Sequence, residues 1–321
     1  MRTHRPFRFT TGMMPQSRAE WVAFVRKVES QGYAAVSTGE HPESGGLAPF
    51  VLFMAAADAT ERLRFVTHTL NNALRHPALL AQEAATFDLL SGGRLELGIG
   101  AGWSARDFHA LGLTLPPGNV RLARLAEAVA LIKQLLAGGP VTFTGEHYRV
   151  EALDLQIPAA QQPRLPIFIG GGRRRLLQYA AREADMVGLD MRSQSGGLDM
   201  ASFTAAAMDE RVAWVRAAAG ERFDQLELHS LVHFAIVTED SRAALRQIQE
   251  QLAAFREMGI ATGVELTDAE IRESPYVLVG TVREIVETLR ERRERYGISH
   301  ISVFAGDTFH PVVEQLAGVG M

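Results

Sequence analysis

A chain of 321 residues, 47% of them hydrophobic, can bury a large core, and the whole span 1–321 reads as a single domain. Its formal charge of −4, without any long block of Lys or Arg, offers nucleic acid no electrostatic footing. The absence of cysteine excludes disulfides, thiolate nucleophiles and cysteine-ligated metal or iron–sulfur centres, so the chemistry must come from other side chains or from a bound cofactor.

The segment Met1–Pro6 leads into a short strand, Phe7–Thr10, and not into the apolar core of a signal peptide. The longest apolar stretches, such as Phe50–Ala57, fall short of the ~20 residues that a membrane-spanning helix needs, so a soluble cytoplasmic protein with no membrane partner is expected. Ser17 and Glu20 have capping-box spacing before a helix carrying Trp21, Phe24, Val25 and Val28. A strand at Tyr33–Ser37, a helix at Pro49–Ala59 and a strand at Leu63–Leu70 follow. Pro77 opens the next helix, because a first-turn residue needs no amide hydrogen. Leu80, Ala84 and Phe87, with neighbouring Leu79 and Leu90, give it a buried stripe, and it stops at Ser91-Gly92-Gly93.

Arg94–Gly100 is the fourth strand, with Gly98, Gly100 and Gly102 open to close approach by a ligand. Leu122, Leu125, Val129, Ile132 and Leu136 mark a long helix ending at Gly138-Gly139-Pro140. Helical rhythm is then lost over about 140–165, read as a small insertion with a hairpin at Thr142–Tyr148. The alternation resumes with a strand at Pro166–Gly170, a helix at Arg173–Arg182, a strand at Asp185–Leu189, a helix at Phe203–Ala219 and a strand at Leu226–Val237. A helix from Asp240 or Ser241, a capping box at Thr281–Glu284 and a last strand at Ser299–Phe304 complete the chain, while Gln194–Gly197 and Gly259–Pro275 read as loops. Eight candidate parallel strands with helices between them fit a (β/α)8 TIM barrel of the α/β class, with the insertion between strands 4 and 5. Such barrels work at the carboxyl ends of their strands, and candidate residues are sought there.

After strand 2 comes Ser37-Thr38-Gly39-Glu40-His41-Pro42, which sets a carboxylate beside an imidazole that exchanges protons near neutral pH; His41 is the candidate acid–base. The run Gly98-Ile99-Gly100-Ala101-Gly102-Trp103 is not a dinucleotide fingerprint, since no helix opens directly after the strand. Gly170-Gly171-Gly172-Arg173 lies between a strand and a helix N-terminus, where exposed amides and the helix dipole favour a phosphate, with Arg173 the best placed side chain. His229 and His233 share one face of a strand without carboxylates nearby in sequence, so no metal site is expected. Arg290–Arg295 reads as a solvated helix surface.

The run Asn71–Trp103, continued through Val120–Tyr148 and Pro166–Asp185, resembles the luciferase-like oxidoreductases, whose members bind FMN or the 5-deazaflavin coenzyme F420, and within them the deazaflavin-dependent branch. The resemblance is dense over roughly half the chain and sparse after about Asp190. It implies barrel closure and a backbone bulge, often a non-proline cis peptide, near Thr67–Leu70 against the cofactor ring. His68, Thr69 and Leu70 are the matching cofactor-binding candidates. It also implies that Gly100 and Gly102 lie along the cofactor chain, that Arg106 contacts phosphate, and that Glu40 stands where relatives carry Asp beside the histidine. Some sugar-phosphate-oxidising relatives have Glu where this chain has Trp103, which points instead to an apolar or aromatic wall of the substrate pocket. The implied activity is hydride transfer between C5 of F420 and a small organic substrate. The rivals are an FMN-dependent monooxygenase supplied by a separate reductase and a non-catalytic flavin-binding barrel. By analogy a homodimer is expected.

Overall fold

The computed structural model describes residues 5–194 and 197–318. Eight parallel strands, β1 (Arg8–Thr11), β2 (Ala35–Thr38), β3 (Arg64–Thr67), β4 (Leu95–Gly100), β5 (Ile167–Gly171), β6 (Met186–Leu189), β7 (Glu227–Val232) and β8 (Ile298–Val303), alternate with helices. The fold is the expected α/β (β/α)8 TIM barrel. Strands β4, β6 and β8 are buried along their whole length, as strands covered on both faces must be.

The chain gathers into two compact units. One holds Met14–Arg26 and Val36–Ile169. Here β3 pairs with β4 through Phe65↔Leu95, and β4 with β5 through Leu97↔Ile167. Beyond Thr67 the chain runs through a cis His68–Thr69 peptide, within the expected segment, and Leu70–Asn71 resumes pairing with Ile99–Gly100. Phe53, Phe65 and Phe87 pack their rings 5.4–6.1 Å apart to form an aromatic core. The helix Pro77–Leu90 begins at its proline, with His76 Nδ1 accepting the Ala78 amide as a cap. Its buried stripe includes Leu80, Ala84 and Phe87 together with Ala81 and Asp88, whereas Leu79 and Leu90 are 57% and 65% exposed, because they fall on the opposite face of the 3.6-residue repeat. The insertion is an antiparallel hairpin, Val141–Thr144 with Arg149–Leu153, held by Glu127, whose carboxylate accepts the amides of Glu146 and His147.

The other unit holds Met1–Met13, Lys27–Ala35 and Gly170–Met321. There β8 lies between β1 and β7, and β7 pairs onward with β6. The apolar run Leu226–Val237 is not one strand. It breaks at His233, and Phe234–Val237 pairs with Val277–Gly280, outside the barrel sheet. The stretch Gly259–Pro275 is not all loop: Ala261–Thr262 pairs with Leu198–Asp199, and Thr267 caps a short helix, Asp268–Glu273. Gln194 and Gly197 likewise lie in short strands, while 195–196 fall outside the described residues. The arginine-rich helix, Val282–Tyr296, opens on the expected Thr281–Glu284 capping box. Its arginines are not a uniformly solvated face. Arg293 is buried with its guanidinium 4.2 Å from the Phe7 ring centroid, and Arg292 donates to the carbonyls of Ser274 and Pro275, burial lowering its pKa to about 10. Among the described residues no helix is long and apolar enough to cross a membrane.

Candidate functional site

In the first unit the tip of β2 turns through Gly39 into Glu40-His41-Pro42. His41 precedes a single 3-10 turn, Pro42–Ser44, which ends at Gly45 in the left-handed region. A side chain at Gly46 would come within 2.9 Å of the His41 carbonyl, so the loop folds tightly around the histidine backbone. His41 Nδ1 lies 2.8 Å from Asp107 Oδ2. The Asp107 side chain is 3% exposed, whereas that of His41 is 40% exposed, so a buried carboxylate holds an imidazole whose outer edge is open. Asp107 Oδ1 accepts the Glu43 amide at 3.3 Å, and the Asp107 amide donates to Ser104 Oγ, which caps the short helix Ala105–Ala110. The Trp103 ring stands edge-on to His41, with centroids 5.7 Å apart, and is 42% exposed. The sequence reading missed Asp107. Its signal is the spacing Ser104-x-x-Asp107, a helix-start pattern hidden among glycines and prolines.

Both carboxylate oxygens of Glu40 are tied to the protein: Oε2 accepts the Asn71 amide at 2.9 Å and Oε1 accepts from Arg75 Nη2. Arg75 is a second residue that the sequence reading missed. Gly98, Gly100 and Gly102 also have close protein neighbours on the side where a Cβ would stand. A side chain at Gly98 would overlap the Thr67 carbonyl at 1.7 Å, one at Gly100 would meet Thr69 Oγ1 at 2.6 Å, and one at Gly102 would meet Asn71 Oδ1 at 2.4 Å. Their smallness lets the bulged end of β3 lie against β4. Leu70 is buried, His68 and Thr69 are half-buried, and the His68 ring packs 5.2 Å from Phe168. Arg106 is exposed on the short helix that carries Asp107.

In the second unit β5 ends in Gly170-Gly171 and the chain enters the helix Arg174–Glu183 through Gly172 and Arg173. No side chain caps this helix, so its first amides have no acceptor from a capping residue. Arg173, Arg174 and Arg175 are exposed around it, and Arg173 Nη2 donates to the Ser193 carbonyl at 2.6 Å. A side chain at Gly172 would sit 2.5 Å from the Met191 carbonyl and the Arg192 amide, so that glycine lets the turn close against the loop after β6. Elsewhere in this unit His229 Nε2 lies 2.8 Å from Ser302 Oγ, its ring against that of His300, and His300 Nε2 lies 2.6 Å from Thr10 Oγ1. These buried histidines take part in a network between strands. His233 instead packs its ring 5.8 Å from Tyr276, and His76 accepts the Ala78 amide as a helix cap.

The architecture is thus that of the TIM-barrel proteins, which carry reactive groups on the loops after their strands. Residues 4–300 match the luciferase-like monooxygenase family, and the chain belongs to that family. It is 33% identical over 171 residues to an F420-dependent glucose-6-phosphate dehydrogenase of Amycolatopsis mediterranei, covering 51% of this chain and 51% of that protein. It thus spans about half the length of the curated dehydrogenases it matches. It is 28% identical over 299 residues to the 4-hydroxyprotoasukamycin monooxygenase of Streptomyces nodosus subsp. asukaensis, covering 87% of this chain and 76% of that one. Among solved structures, the coenzyme F420 dependent tetrahydromethanopterin reductase from Methanopyrus kandleri is similar over 97% of this chain and 98% of its own, with TM-score 0.77 at 18% identity; that likeness bears on fold.

Proposed function

We propose that this protein is an F420-dependent oxidoreductase that moves a hydride between C5 of the coenzyme and a small organic substrate. The observation that carries the reading is His41, an imidazole anchored through Nδ1 by buried Asp107 and open at its outer edge, as a group that exchanges a proton with substrate must be. When bound, the deazaflavin supplies two-electron chemistry that no side chain of this chain can supply. The chain's own residues would bind, orient and exchange the proton.

The residues suit such a group. Helix Arg174–Glu183 lacks a side-chain cap and has three exposed arginines in and beside its first turn, a donor set fit for phosphate. Gly170, Gly171, Gly172 and Arg173 are assigned to that phosphate. His68, Thr69 and Leu70 are assigned to the ring face, and Gly100, Gly102 and Arg106 to the coenzyme chain. Trp103 is assigned to the substrate. Dehydrogenase relatives named for F420 support the coenzyme. A cytoplasmic homodimer belongs to the same proposal by family analogy.

The second reading, an FMN-dependent monooxygenase that receives reduced flavin from a separate reductase, is favoured by the monooxygenase relative that matches 87% of the chain. Titration of cofactor-free protein with F420, FMN and reduced FMN separates the two by absorbance and fluorescence. Selective binding of F420 is expected; selective binding of either FMN form would move the assignment to the monooxygenase, and binding of none would overturn both.

A further inference from the structure

We propose that Asp107 is a positioning residue that fixes the tautomer of His41, with the ring proton on Nδ1 and the lone pair on Nε2. This rests on the hydride-transfer reading above. A carboxylate can only accept hydrogen bonds, so the 2.8 Å contact between Asp107 Oδ2 and His41 Nδ1 requires Nδ1 to donate. The carboxylate has no freedom to turn away. Its other oxygen accepts the Glu43 amide, its own amide is tied to Ser104 Oγ, and the side chain is 3% exposed. His41 is confined in turn, because the loop closes on its backbone at Gly46.

A neutral imidazole protonated on Nδ1 is an acceptor at Nε2, so the dyad meets its substrate as a base. The fitting substrate carries a hydroxyl on the carbon that gives up hydride. The C–H pair would leave as hydride to the coenzyme, the O–H pair would become the second bond of a carbonyl, and the hydroxyl proton would go to Nε2. Oxidation of the alcohol would thus balance reduction of the coenzyme, with Asp107 offsetting the charge of the imidazolium at His41.

Asp107→Asn puts the proposal to a sharp test. The Glu43 amide still needs an oxygen, so the new amide nitrogen turns toward His41 and offers a donor where a donor already stands. Nδ1 must then accept, and the ring proton moves to Nε2. We expect the nitrogen-15 imidazole spectrum of His41 to report the Nδ1–H tautomer in the wild type and Nε2–H in Asp107→Asn. Alcohol oxidation should fall by roughly a hundredfold or more, with the dissociation constant for F420 unchanged. An Nε2–H tautomer in the wild-type protein would overturn the proposal, and so would full turnover in the variant. Should the tautomers behave as expected while F420 neither binds nor reacts with any alcohol, the role of Asp107 stands and the hydride-transfer reading fails.

Discussion

Arg75 and Glu40 form an ion pair that joins the segment after β3 to the tip of β2, and the Asn71 amide shares the same carboxylate. Glu40 is 9% exposed and Arg75 23% exposed, so the pair is largely shielded from water. Replacing Glu40 by Ala leaves a guanidinium and an amide without their acceptor and should cost about 2–4 kcal/mol of stability. Glu40→Asp, one methylene shorter, should keep one of the two bonds and lose about half as much. Urea unfolding of the two variants checks this order; equal stability of Glu40→Ala and the wild type would contradict it.

Two glycines should differ sharply in their tolerance of a side chain. Gly98→Ala drives a methyl into the Thr67 carbonyl, a clash that only backbone movement can relieve, and should cost about 3 kcal/mol or abolish soluble protein. Gly92 has a φ of +71° and open space around its missing Cβ, so Gly92→Ala should cost only about 1 kcal/mol. Chemical denaturation of both reads the difference. A Gly98→Ala protein as stable as Gly92→Ala would mean that β3 and β4 do not lie as described.

Asp88 gives a pH dependence of known sign. Burial raises its pKa despite acceptance from the Leu95 amide and the Gln161 side chain. A carboxyl raised in the folded state binds more protons there than in the unfolded chain. Its contribution is therefore fully present below the unfolded value, about 3.9, and is lost as pH climbs through the raised folded value. Asp88→Asn keeps an oxygen for both donors and removes the titration. The stability of the wild type relative to this variant should fall as pH rises from about 3.9 through the raised folded value; a relative stability that rises with pH would refute the assignment.

Trp103 stands edge-on to His41 and remains accessible. Trp103→Ala should raise KM for an apolar alcohol about tenfold and leave the F420 dissociation constant unchanged, because the ring would touch substrate and not coenzyme. Glucose 6-phosphate should be a poor substrate of the wild type. Steady-state kinetics on both substrates decides the matter, and efficient turnover of the sugar phosphate would remove Trp103 from the specificity argument.

Much of the fold was legible because it is written in local pattern. Pro77 and Ser91-Gly92-Gly93 bracket one helix, Thr281 and Glu284 open another, and β4 ends among its glycines at Gly100. What was illegible depends on partners far along the chain. Phe234–Val237 continues the apolar run of β7, and only its pairing with Val277–Gly280 separates it. Arg293 looks solvated until Phe7 is set beneath it. The site follows the same division. His41 and the Gly170–Arg173 turn announce themselves by residue type at strand ends. Asp107 is chosen by a fold that brings it to a histidine 66 positions away. Gly98, Gly100 and Gly102 stand out in the sequence by their lack of a side chain, but the close approach of the end of β3 to them is not written in local pattern.

Hydride transfer to a deazaflavin, with His41 as the proton partner, can be observed directly. Its most direct test is the anaerobic bleaching of oxidised F420 by the wild-type protein with a panel of primary and secondary alcohols, repeated with His41→Ala. Bleaching without oxygen is expected in the wild type, and turnover lower by roughly a hundredfold or more in a variant that still binds F420. Undiminished bleaching by His41→Ala, or turnover that demands both oxygen and reduced flavin, would contradict it.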